Sequence, residues 1–179
     1  MKGIVFTEFL DLVEDKFGLQ MLDTILNESN LESNGIYTSV GTYNFSEMLQ
    51  LLQSLSSHTE ISIDNLLLVY GEHFFSIIEE SYPYLLATYS DPIEMLSSVE
   101  NHIHVEVRKI YPDAELPTFK VLEKTKTTLV VIYTSSRAMH HFGLGLMNKT
   151  FEHFNSTATI ELKKIKEDGT EVKFIVNKN

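Results

Sequence analysis

The side chains best able to do chemistry in this 179-residue chain are histidines and one hydroxyl–arginine set. His58, His73, His102, His104, His140, His141 and His153 are the candidate metal ligands. His102-Ile103-His104-Val105-Glu106 has the alternation of a metal triplet. On a strand such spacing puts all three ligands on one face. On a helix, residues two apart diverge by about 200°, so the triplet does not converge. The surrounding periodicity is helical. It sets His102 among Ser98, Glu106 and Lys109 on a wet face, and His104 nearer Ile93, Val107 and Tyr111, on the flank of the apolar face. A neutral imidazole there could hold a buried metal or haem, or could pack at a core edge. Periodicity alone favours packing.

The second set is Tyr133-Thr134-Ser135-Ser136-Arg137. In an extended segment Tyr133, Ser135 and Arg137 share one side. Two hydroxyls and a guanidinium fork suit a carboxylate or phosphate, because Arg binds oxyanion pairs bidentately. An exposed arginine at a strand end is the plainer alternative.

These residues need elements to hold them. Val5, Phe9, Leu12, Val13 and Phe17 recur at helical spacing over about residues 3–17. A short helix is expected near Met21–Leu26, then a loop from Asn30 to Thr42. Asn44-Phe45-Ser46-Glu47 offers an N-cap and a capping box before a helix carrying Met48, Leu51, Leu52 and Leu55. Ser62 can cap another, from about Ile63 to Glu80, with Leu66, Leu67, Tyr70, Phe74 and Ile77 along it. Asp91-Pro92-Ile93-Glu94 starts a helix expected to run to about Tyr111, where Pro112 stops it. After Pro117 the period changes. Phe119–Glu123 and Thr128–Tyr133 read as one hairpin, Met139–Phe154 as a helix, and Ser156–Ile165 with Val172–Val176 as a second hairpin. The class is α+β: a helical N-terminal lobe, about 1–62, and a C-terminal lobe, about 63–179, with a mainly antiparallel four-stranded sheet.

Composition narrows the partners. Charged residues make up 22% and hydrophobic ones 43%, enough for a folded core. The net charge of −11 disfavours nucleic acid and anionic membranes. No run of 18 apolar residues occurs, and Glu8 comes too early for a signal-peptide core. Cysteine is absent, which excludes disulfides and thiolate sites and permits a cytoplasmic location.

His104-Val105-Glu106-Val107-Arg108-Lys109-Ile110-Tyr111-Pro112, followed by Pro117 and then by Tyr133, Ser135 and Arg137, resembles the haem nitric oxide/oxygen-binding (H-NOX) domain. This is also the haem domain of soluble guanylate cyclase. The opening Met1-Lys2-Gly3 and the length fit as well, so the likeness spans essentially the whole chain. It implies one haem b between the two lobes. His104, seven residues before Tyr111 as in the family, would be the proximal iron ligand. Tyr133, Ser135 and Arg137 would grip the propionates, and Pro117 would press on the porphyrin. By position, the distal residues are Val5, Phe9, Phe74, Ile78, Phe142 and Leu146, all apolar. Oxygen-binding members carry a tyrosine where Phe142 stands.

The resemblance therefore implies a bacterial-type NO sensor and not an enzyme. NO and CO would bind and O2 would be excluded. NO would weaken the bond to His104, and the His104 helix would move. The output would pass to a separate signalling protein such as a histidine kinase or a cyclic-di-GMP enzyme. His73, His140 and His141 lie close in sequence to distal positions, where an inward ring could donate to a ligand. The rival readings are a metal hydrolase using His102, His104 and Glu106, and a haem-free acidic interaction module.

Overall fold

The computed structural model describes residues 1–179. The chain divides into two compact units, Met1–Tyr70 and Gly71–Asn179. The division falls inside a helix, whereas the sequence puts a lobe boundary ahead of it, near residue 62.

The first unit is helical. It holds α1 (Ile4–Phe17), α2 (Leu19–Glu28), α3 (Phe45–Thr59) and the beginning of α4 (Ile63–Ser81). Gly18, at φ 83°, ends α1, and α2 starts at once, earlier than the periodicity suggests. The buried stripe of α1 is Phe6, Phe9, Leu12 and Val13, and that of α3 includes Met48, Leu51, Leu52 and Leu55. Asn44 caps α3 by accepting the Ser46 N–H at 3.0 Å. Glu47 does not close the expected capping box. Its buried carboxylate turns to the loop before α3 and accepts from the Ser33 hydroxyl at 2.5 Å and the Tyr37 hydroxyl at 2.8 Å. A buried carboxylate needs such donors, and the long loop supplies them. Tyr70, fully buried, donates its hydroxyl to the Val5 carbonyl at 2.5 Å and sets its ring edgewise on Phe9. It ties α4 to α1.

The second unit is α+β. Beyond the rest of α4 it contains α5 (Pro83–Leu86), α6 (Pro92–Ser97), a π-turn (Val99–Ile103), α7 (His104–Ile110), β1 (Thr118–Lys124), β2 (Thr128–Thr134), α8 (His140–His153), β3 (Ala158–Lys164) and β4 (Glu171–Lys178). The four strands form one antiparallel sheet in the order β1-β2-β4-β3: each hairpin pairs its own two strands, and β2 joins β4 between them. Burial alternates strictly along β2 and β4. Their inner residues, Leu129, Val131, Tyr133, Val172, Phe174 and Val176, meet Ile93 and Leu96 of α6 and Met147 and Phe151 of α8. Each such side chain contributes about 1.5–3 kcal/mol when fully buried.

The helix expected from Asp91 to Tyr111 is broken. Asp91 does cap it, accepting from Ile93 and Glu94 N–H at 2.8 and 3.3 Å. The regular helix then stops at Ser97. The hydroxyls of Ser97 and Ser98 both donate back to the Glu94 carbonyl, which bends helices. One π-turn follows before α-helix resumes at His104. π-bulges of this kind concentrate at functional sites.

Candidate functional site

His104 opens α7 directly after the π-turn and is buried, 8% exposed. Its ring lies against Phe119, with centroids 5.8 Å apart. Burial pushes its pKa down from the ordinary histidine value; the Glu100 carboxylate opposes this and Arg108 reinforces it. The ring is thus held neutral near pH 7, the form that ligates a metal. Nδ1 faces a Glu100 carboxylate oxygen at 3.6 Å, too long for a hydrogen bond. Glu100 itself accepts the Phe119 N–H at 3.0 Å and stands 3.9 Å from the Arg108 guanidinium.

His102, His104 and Glu106 do not assemble into a triplet, as their helical spacing implies. His102 is half-buried rather than on a wet face, because the π-turn shifts the register ahead of α7. Its Nδ1 meets the Tyr89 hydroxyl at 2.5 Å. Glu106 pairs with Lys109 at 2.5 Å.

At the end of β2 Tyr133, Ser135 and Arg137, the set expected to suit an oxyanion, come together, though not by strand alternation. The strand ends at Thr134, and Ser135–Arg137 turn. The Ser135 hydroxyl accepts the Arg137 N–H at 3.2 Å, and Ala138 follows at φ 51°. Such hydroxyl-to-backbone bonds compete with strand pairing. Tyr133 is buried, and its phenol reaches Ser135 and the Met139 backbone. Burial pushes the phenol above its ordinary pKa, against the pull of those two bonds and of the Arg137 charge. Arg137 donates to the Glu115 carbonyl at 2.6 Å and pairs with its carboxylate at 2.5 Å. Glu115 was not evident from the sequence as its partner. Pro117 is half-buried at the entry to β1.

The apolar positions of the second unit also converge. The rings of Phe74 on α4 and Phe142 on α8 lie 5.5 Å apart, tilted by 58°. Ile78 and Leu146 pack on Phe75, Leu86 and Met95. Gly71 makes this approach feasible, since a Cβ there would come within 2.1 Å of the Phe142 carbonyl oxygen. In the first unit Phe9 is buried and Val5 half-buried on α1.

A family profile described as haem-NO-binding matches residues 2–162. The chain belongs to the haem-NO-binding, or H-NOX, family. A crystal structure of the ferrous unliganded H-NOX protein from K. algicida is 78% identical, with a TM-score of 0.99, covering 100% of this chain and 97% of that one. The H-NOX from Shewanella woodyi, solved in its ferrous CO state with IWP-051 bound, is 36% identical at a TM-score of 0.84, covering 100% and 95%. An H-NOX protein from Shewanella oneidensis, solved in a ferrous NO state, shares the fold at 20% identity and a TM-score of 0.91, covering 100% and 99%. No curated protein matches. H-NOX domains are haem-based gas sensors that bind NO and CO. No single helix of this H-NOX chain is long and apolar enough to cross a membrane.

The donor set fits a haem. A buried neutral imidazole suits the iron, a phenol, hydroxyl and guanidinium suit propionates, and facing aromatic and aliphatic groups suit the porphyrin's apolar surroundings.

Proposed function

We propose that this chain is a ferrous haem b sensor of NO, with His104 as its iron ligand and no enzymatic activity of its own. Non-covalent haem b suits a chain without cysteine, which has no thioether attachment. Tyr133, Ser135 and Arg137 would hold the propionates, and Pro117 would bear on the ring. Haem supplies a ferrous iron that binds NO and whose bond to the proximal imidazole NO weakens. His104 would be a releasable tether on α7, and its release would free that helix to move. The movement is the output, read by a separate partner such as a histidine kinase or a cyclic-di-GMP enzyme. A cytoplasmic setting suits the cysteine-free chain.

The choice of NO rests on one observation. Val5, Phe9, Phe74, Ile78, Phe142 and Leu146 carry no hydrogen-bond donor in their side chains. Bound O2 has superoxide character and needs a donor; NO needs it much less. A bond to a charged acceptor is worth about 1.5–3 kcal/mol, roughly tenfold to a hundredfold in affinity.

The test is the visible spectrum of the purified, reduced protein. It should show a Soret band, shift with NO and with CO, and form no stable oxy complex in air. A colourless protein overturns the haem assignment. A persistent oxy complex overturns the choice of NO and brings in His73, His140 or His141 as a donor.

A further inference from the structure

We infer that Glu100 is a positioning residue for the iron ligand: its carboxylate accepts the Nδ1 proton of His104 and thereby sets how firmly the imidazole holds the metal. The inference rests on the reading of His104 as that ligand.

The geometry is specific. Glu100 stands four residues before His104, a spacing that puts side chains on one helix face. Nδ1 of His104 is buried and has no hydrogen-bond partner, with the Glu100 oxygen 3.6 Å away. That same oxygen already accepts the Phe119 N–H from β1 at 3.0 Å. The other carboxylate oxygen faces Arg108 on α7 at 3.9 Å. The carboxylate is therefore held from the strand and from the helix, with a buried imidazole nitrogen as its third neighbour. A closure of a few tenths of an ångström turns the contact into a hydrogen bond.

Imidazole chemistry gives the consequence. An acceptor on Nδ1–H fixes the tautomer and leaves the Nε2 lone pair free to ligate. It also raises the basicity of that nitrogen, and outer carboxylates of this kind tune metal–histidine bonds strongly. Arg108 draws on the same carboxylate and moderates the effect. Glu100 and Arg108 thus act on the tether with opposite signs. The firmer the imidazole, the harder it is for NO to release it.

The test is resonance Raman spectroscopy of the ferrous haem-loaded protein, with the ratio of five- to six-coordinate NO complex as a second readout. Glu100→Gln keeps an oxygen for the Phe119 N–H and removes the charge. It should lower the iron–histidine stretching frequency and shift the ratio toward five-coordinate by about tenfold, the scale typical of outer-partner changes. Arg108→Met should move both readouts the other way, which a general loosening of the helix would not do. Unchanged frequency and ratio in both variants, with the band lost in His104→Gly, overturn the role of Glu100 and leave His104 as ligand. A wild-type protein without an iron–histidine band overturns the ligand assignment, and this inference with it.

Discussion

Tyr89 and His102 share a hydrogen bond, 2.5 Å between the phenolic oxygen and Nδ1, with their rings edge to face. The pair occupies the histidine two places before His104. His102 is thereby engaged in structure, half-buried where the helical spacing set it on a wet face.

The first expectation is about ligand identity. His104→Gly should lose the five-coordinate ferrous spectrum, and added imidazole should restore it. His102→Gly should leave that spectrum unchanged and cost about 0.5–1.5 kcal/mol of stability, the worth of one hydrogen bond. Reversed behaviour of the two variants contradicts the assignment of His104.

Arg137 makes a second case. Arg137→Ala should speed haem transfer to an apo-globin acceptor, through loss of a charge-assisted contact of about 1.5–3 kcal/mol. Arg137 also holds Glu115 through the carbonyl and the carboxylate. Glu115→Ala removes only the carboxylate and should leave the transfer rate near wild type. Equal acceleration by both variants would assign Arg137 to the loop and not to the haem.

Much of this arrangement is legible in the sequence, and the exceptions have physical causes. The strands and both hairpins follow from alternation and turn residues, because the sheet buries one face of β2 and β4. The Asp91 cap is local and was readable for that reason. The break at Ser97–Ser98 was not, since hydroxyl bonds back to Glu94 and a π-turn leave no mark in apolar periodicity. Glu47 looked like half of a capping box, but the loop's Ser33 and Tyr37 compete for it. The spacing of Glu100 and His104 was visible. What singles out that carboxylate is the Phe119 N–H, delivered by a strand nineteen residues away.

Gas choice gives the third test. Phe142→Tyr adds one hydroxyl beside Phe74. It should raise O2 affinity, up to about tenfold to a hundredfold if the hydroxyl donates well. Less is expected where neighbours do not orient it. Flash-photolysis or equilibrium O2 titration reads the change. No change in O2 affinity, with CO affinity also unchanged, would put residue 142 away from the bound gas.

Asp91 sets an acid limit on the second unit. Burial pushes its pKa up, but the bonds from Lys178 and from the Glu94 and Ile93 amides prevail and hold the carboxyl below its ordinary value. A depressed folded-state pKa stabilises the fold above the unfolded value, near pH 4, and that contribution is lost as pH falls through the folded value. Asp91→Ala should cost about 1–2 kcal/mol at neutral pH. Its difference from wild type in urea unfolding should shrink below about pH 4. A difference independent of pH would remove the Lys178 pair from the account.

The central claim is that NO acts by releasing His104, and hydrogen exchange tests it most directly. A ligand shifts a two-state protein only through its differential affinity for the two states. On the proposed reading CO would leave the His104–iron bond in place and NO would weaken it, so the two gases should differ even when both saturate the iron. Amide exchange is measured on the unliganded, CO-bound and NO-bound ferrous protein. The account predicts that NO changes protection in the π-turn and α7, and in the helices of the first unit, while CO stays near the unliganded pattern. The imidazole-filled His104→Gly protein should show no NO-specific change. Identical maps for CO and NO would contradict the tether.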